Sequence, residues 1–418
     1  MQSTTTKQTM KLIQSTLLAT SLLGITSANA ENGGFLFKGF TGDTPMDQAW
    51  SMFNLYKNED NQILQEFSLQ GRLHLQSIYG ESNGNSFNTS DYKDSGKDEG
   101  VWGNDIEARR ARLGFKSKWF QVFKFDGMIN VDTDAMDDSG SDTLYKDLYD
   151  LYVTYAPSDA FNLSVGKTKV KFSREQETSS NNILTLERSL LSNLLFPGEL
   201  TGIWTSGKGI KGGWLYELGI YGNDRSREFT SGDGGHIVLA KVGYDYAERF
   251  GLDTAVASIH FMDNSEPGYD EPSDSQYNPS ASPKFSRSIA LTNEITQGRF
   301  GLMSDIYVAS GENTVAIGQS DVMGITITPS YFIAEGLQLV GRLQIATCDD
   351  FNDLTVPGRY ETLQPGDDKG DTYVSAYMGL NYYIYGHKLK LMNGIEFSQM
   401  GDSDYSGFTY MSGLRFSF

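Results

Sequence analysis

The chain has 418 residues, a formal net charge of −19, one cysteine and a negative mean hydropathy despite 12% aromatic residues. An acidic balance opposes nucleic-acid binding, and a single cysteine, Cys348, rules out an internal disulfide framework. After residue 30 no run of about 18 apolar residues occurs, so no transmembrane helix is expected; a closed sheet, in which only every second residue need be apolar, stays open.

In chain order, Lys11 precedes an apolar, uncharged stretch from Leu12 to Ile25, and Ala28-Asn29-Ala30 has the small residues of a signal-peptidase site. Residues 1–30 therefore read as a secretory signal peptide cleaved after Ala30, with Met10 an alternative start. Their loss removes Lys7 and Lys11 and takes the formal charge from −19 to −21. Residues 31–66 alternate poorly. They are Gly-rich and aromatic from Gly33 to Phe40, then polar with a weakly helical Met46–Tyr56 piece, and read as a periplasmic amino-terminal extension or plug.

From Phe67 onward the sequence alternates in segments of about ten residues. Phe67, Leu69, Leu73 and Leu75 form one face against Ser68, Gln70, Arg72, His74 and Gln76. Ala111, Leu113 and Phe115 oppose Arg110, Arg112, Gly114 and Lys116, and Phe123, Phe125, Ile129 and Val131 oppose Lys124, Asp126 and Asn130. Further segments follow at 149–155, 163–169, 200–205, 214–221, 238–246, 255–261, 289–295, 300–308, 323–331, 337–345, 374–384, 389–397 and 408–418, about 16 in all. The last alternates Phe408, Tyr410, Leu414, Phe416 and Phe418 with Thr409, Met411, Gly413, Arg415 and Ser417. An even number of strands suits a closed antiparallel barrel, so residues 67–418 are expected to form an all-β transmembrane barrel. Long acidic connectors (80–105, 132–143, 263–283, 349–371) alternate with tight ones such as Pro157-Ser158-Asp159, Gln297-Gly298 and Tyr385-Gly386-His387. That parity suits long outer loops and short periplasmic turns.

One connector breaks the cadence. Residues 172–199 make no strand pattern, and a polar segment of that length between strands is usually functional. Here "VGKTKVKFSREQETSS…LERSL…FPG", preceded by "RRARLGFKSK" at Arg109–Lys118, resembles the phosphate-selective porin O and P family, most clearly over Ile106–Asn223. The resemblance implies a 16-stranded outer-membrane channel, usually a homotrimer, whose third loop folds inward to narrow the pore and whose lumenal arginines and lysines guide anions. Carried over by position, Lys167, Phe172, Ser173, Thr178, Ser179, Ser180, Glu187, Arg188, Ser189, Pro197 and Gly198 match the constriction-loop pattern. Two departures bear on phosphate specificity: Lys171 stands where the family often has proline, and Glu199 follows Pro-Gly where arginine is common.

Cations lower the energy of an anion in a narrow pore, and carboxylates favour cations. The expected anion path comprises Arg110, Arg112, Lys116, Lys124, Lys167, Lys169, Lys171, Arg174, Arg188 and Arg415. Arg72, Lys241, Arg342 and Lys390 are further lumenal candidates, set against Asp126, Asp150, Glu175, Glu177, Glu187, Glu217, Asp245, Glu294 and Glu396. Metal and enzyme chemistry find little support. The acidic stretch Asp132–Asp142 places Met136 where a calcium loop needs oxygen and has no closing glutamate, and the four histidines are scattered. The expectation is thus a passive outer-membrane porin for small hydrophilic solutes, anion-favouring, with outer-membrane lipid around it and no cofactor, metal or nucleic-acid partner. An outer-membrane barrel enzyme and a secreted β-sandwich binding protein are the alternatives.

Overall fold

The computed structural model describes residues 42–82, 85–86, 106–132, 144–226, 228–230, 232, 234–268, 283–312, 319–349, 354–356, 369–403 and 405–418. The expected signal peptide, most of the long acidic connectors and the calcium-like stretch lie outside these residues. The chain divides into two compact units, Met1–Tyr56 and Lys57–Phe418. In the first, helix α1 (Pro45–Ser51) is one turn shorter at its end than the expected helical piece and starts on a capping box: Thr44 and Asp47 exchange side-chain and backbone hydrogen bonds.

The second unit is a closed antiparallel barrel of 16 strands. They are β1 (Leu64–Ser82), β2 (Ile106–Trp119), β3 (Phe123–Val131), β4 (Tyr145–Ser158), β5 (Phe161–Lys169), β6 (Glu199–Ile210), β7 (Trp214–Gly222) and β8 (His236–Asp245). The second half comprises β9 (Thr254–Asn264), β10 (Phe285–Gln297), β11 (Phe300–Gly311), β12 (Val322–Ala334), β13 (Leu337–Cys348), β14 (Thr372–Tyr385), β15 (Leu389–Gly401) and β16 (Ser406–Ser417). Each of the 16 alternating segments in the sequence coincides with one of these strands, 238–246 and 408–418 running one residue past the strand end. The last strand closes the ring on the first, with Leu73 opposite Phe416 and Leu75 opposite Leu414. Gly71 and Phe418 exchange both backbone hydrogen bonds at 3.0 Å, so every strand has two neighbours and no edge remains.

Alternation sorts the side chains. Leu113, Leu218, Val242, Leu291, Val308, Leu343, Met378 and Phe397 stand exposed on the outer wall, a belt that needs hydrocarbon rather than water. The tight turns gather at one end: Gly298, Gly336 and Gly386 take the left-handed backbone there, which a side chain would strain.

The inner wall is not uniformly polar. Ile237, Leu239, Tyr307 and Tyr373 are fully buried inside, where Phe172, Leu190, Leu191 and Leu195 of the 170–198 segment pack on them. Leu186 packs likewise with Ile78, Val340, Tyr377 and Met392. This segment folds into the barrel rather than out from it, because its leucines find an apolar lumenal patch and its polar groups find charged partners on the wall.

Candidate functional site

The inward loop runs from Val170 to Gly198 and carries two short helices, α2 (Arg174–Glu177) and α3 (Leu190–Leu194). Ser173, at φ 80°, turns the chain and caps α2. At its far end Gly198 (φ 115°) lies so close to Arg225 that a Cβ would come within 2.9 Å of Nε, and Arg225 donates to Pro197 O at 3.0 Å.

Ten strands reach the loop with hydrogen bonds, β5 among them through Lys169. From β1, Arg72 donates to Ser180 Oγ at 2.8 Å, and His74 Nε2 lies 3.1 Å from Asn181 Oδ1. From β2, Arg109 grips Glu187 with Nε at 2.6 Å and Nη2 at 3.0 Å, while Arg110 stands 4.0 Å away. Across the lumen, β8 gives Lys241 to Glu177, β10 gives Glu294 to Arg174, and β11 accepts the Glu175 N–H on Asp305 at 3.0 Å. Asn381 of β14 donates to Leu184 O and Lys390 of β15 to Ile183 O, both at 2.8 Å. Arg415 of β16, fully buried, donates to Leu186 O at 2.9 Å and to Gln76 at 2.7 Å.

Arg342 of β13 is the central staple. Its guanidinium is bidentate to Glu396 at 2.9 and 3.0 Å and also donates to Glu187 O at 2.7 Å, Thr185 Oγ1 at 3.2 Å and Glu175 Oε1 at 3.4 Å. Ser375 adds a further bond to Glu396 at 2.7 Å, so both charges are nearly saturated although only 1% of the arginine is exposed.

Burial alone would push the Glu187 carboxyl up. Arg109, then Arg110, the Arg109 hydrogen bond and Arg415 outweigh it and hold the group well below the usual carboxylate range. Glu177 shows the same balance, with Lys241 the largest of the charges that overcome burial.

The ten cations of the expected anion path fall into different environments. Arg112 lies over the Tyr149 ring at 3.4 Å and bonds Asn130 at 2.6 Å; Lys116 is exposed and pairs with Asp126 at 3.7 Å. Lys124 and Lys171 are exposed. Lys169 donates to Gln176 O at 2.7 Å, and Arg188, buried in the loop, donates to Glu175 O and Thr178 O at 3.1 and 2.8 Å. Arg174 is shared between Glu177 and Glu294, and Lys167, in register with outward-facing Leu151, is taken up by Ser226 O at 2.8 Å. Of the loop residues, Phe172 packs edge-on to His260 at 6.1 Å, Thr178 caps Arg174 O at 3.0 Å, and Ser179 accepts from Asn181 N at 3.4 Å.

Strict alternation hides Arg109, because it assigns neighbouring Arg110 to the lumen. The register between β1 and β2 slips after His74–Arg110 to Leu75–Ala108, leaving Arg109 as an extra residue in a bulge. Both arginines thereby reach Glu187. A run of two arginines at a strand position was the one sequence signal available.

Comparison with known proteins bears on this geometry. The family described as phosphate-selective porin O and P matches residues 80–266, a span that includes the whole inward loop. No curated protein sequence matches the chain. Among solved structures, OmpF of Salmonella typhi in complex with daunomycin aligns at TM-score 0.54 and 10% identity, covering 84% of this chain and 98% of its own. The anion-selective porin from Comamonas acidovorans aligns at 0.53 and 12%, covering 84% and 99%. A loop-deletion mutant of the Vibrio cholerae outer-membrane protein OmpT aligns at 0.52 and 12%, again over 84% and 99%. These identities speak to fold alone. Residues 80–266 thus carry the pattern of the phosphate-selective porin O and P family, set in a 16-stranded barrel with the fold of outer-membrane porins.

Proposed function

We propose that the protein is a passive outer-membrane channel for small hydrophilic solutes that favours anions, with the inward loop setting the constriction. The observation that carries the anion preference is the cluster around Tyr149. Arg72 and Arg112 lie 5.9 and 3.4 Å from its ring centre, and Arg188, Arg110 and Lys169 are near enough to act electrostatically on one another. Glu187, Glu175, Asp150 and Glu199 are the acids that act on them, fewer than the cations once Arg109 is added, which leaves an excess of positive charge on the β1–β5 side of the loop. A narrow, low-dielectric passage magnifies such an excess, whereas loop charge beyond about 8 Å is screened at physiological ionic strength.

The buried members, Arg110, Arg188 and Arg415, set the field from behind while they fasten the loop; Arg112, Lys116, Lys124 and Lys171 present charge to the solution. Phosphate is the anion that the family match favours.

The test is the reversal potential of the purified channel across a potassium chloride gradient. Chloride preference is expected, and Arg112→Glu with Lys116→Glu should move the potential toward potassium. A cation preference indifferent to both changes would overturn the reading.

The assembly we infer is a homotrimer embedded in outer-membrane lipid. It is supported by a polar group on the outer wall: Asn393, mid-strand in β15, accepts from Ser412 Oγ at 2.8 Å and Tyr410 Oη at 3.3 Å, where hydrocarbon would leave its remaining polar valences unmet.

A further inference from the structure

The loop divides the lumen into two chemically different halves. Opposite the cationic cluster, between α2 and the turn-end portions of β10–β14, lies a cavity of about 500 Å³, within the range of a small-ligand pocket. Its charges are paired off. Arg174 meets Glu177 at 3.2 Å and also Glu294, Lys241 reaches Glu177 from β8, and Glu175, which also lines the cavity but is 3% exposed, is taken by Arg342 at 3.4 Å. Burial, with Lys390 beside it, draws His387 down to about 4, so this ring too is neutral at physiological pH.

What remains is uncharged hydrogen-bonding surface and aromatic face. Ser330, Gln338 and Asn182 line the cavity together with Thr328, which is 2% exposed and whose hydroxyl has no partner among the described residues. On the same wall Phe332 and Tyr383 point inward, on positions where barrel alternation ordinarily places polar residues, with ring centres 5.7 Å apart. His387 closes edge-on against Tyr383 at 5.0 Å, and the Tyr383 hydroxyl donates to Gln338 Oε1 at 2.5 Å, which fixes the ring. An apolar ring surface held beside hydroxyls and amides, with the nearby charges engaged with one another, matches a solute that has both a C–H face and a hydroxyl rim.

The geometry points to a binding subsite for neutral sugars in this cavity, at the turn end of the channel beneath the inward loop. The subsite rests on the channel reading and deepens it: anions follow the β1–β5 side, whereas a pyranose lies on the Tyr383–Phe332 surface with its hydroxyls toward Thr328, Ser330 and Gln338.

Maltotriose added to the turn-end side of single channels in a planar bilayer is expected to give saturable interruptions of the chloride current. A polyethylene glycol of equal hydrodynamic size, which lacks ring faces, should not. Tyr383→Leu should weaken the maltotriose block about tenfold, and Tyr383→Phe, which keeps the ring, should retain most of it. Equal effects of sugar and polyether on the wild-type channel, or an undiminished block in Tyr383→Leu, would overturn the subsite while leaving the channel standing. Absence of any ionic conductance would remove the channel reading and the subsite with it.

Discussion

Replacing Arg342 with methionine tests whether the loop is held in the lumen by charge. The guanidinium serves Glu396, Glu175, Thr185 and the Glu187 carbonyl at once, and it is 1% exposed. Its removal strands Glu396 and deprives Glu175 of a partner in a low-dielectric interior, and breaking a buried pair in this way costs about 3–5 kcal/mol. The strand ladder does not depend on this contact, so the cost falls on the docked loop. At about 3 kcal/mol the docked population relative to the released one drops roughly a hundredfold.

Single-channel recording should then show larger or noisier conductance, approaching that of a channel lacking residues 172–197, while heat-modifiable migration in gels still reports a closed barrel. Adding Glu396→Gln should restore part of the wild-type behaviour, because it removes the stranded charge. Conductance and noise identical to wild type would refute the claim that Arg342 fastens the constriction.

Two further outcomes are expected. The Glu187 carboxyl is held below its ordinary range, so its latch to Arg109 is at full strength above about pH 4.5 and is lost as pH falls through the depressed value; current noise should rise only below about pH 4.5, and Glu187→Gln should be noisy already at pH 7. A noise onset near neutrality would exclude Glu187 as the latch. On the outer wall, Asn393→Leu should lower the fraction of trimer on native gels in mild detergent, and an unchanged fraction would return that face to lipid.

How much of this was legible beforehand follows from which forces are periodic. Alternation of apolar and polar residues repeats every two positions along a strand, and a barrel imposes that period from end to end, so about 16 segments, their outward faces and the odd segment at 172–199 could be read directly. His74 and Arg415 were placed inward by the same logic, and inward they lie. The bulge at Arg109 was not legible, since one inserted residue leaves the composition of the strand unchanged and alters only its pairing. Nor could it be foreseen that Arg188 would spend its donors on carbonyls of its own loop, or that Lys167 would turn to Ser226.

The sequence by itself determined the class of the molecule: a chain patterned for a closed sheet with one face in hydrocarbon, and one connector too long and too polar to be a turn. Only the tertiary structure decided what the charges do. Ion pairing depends on distances between residues far apart in the chain, such as Arg342 and Glu175 or Lys241 and Glu177, and those distances exist only once the barrel has closed around its loop. The same closure sets the arginines around Tyr149 and the Phe332–Tyr383 cavity on different sides of the loop, a division that a list of lumenal residues along the strands does not contain.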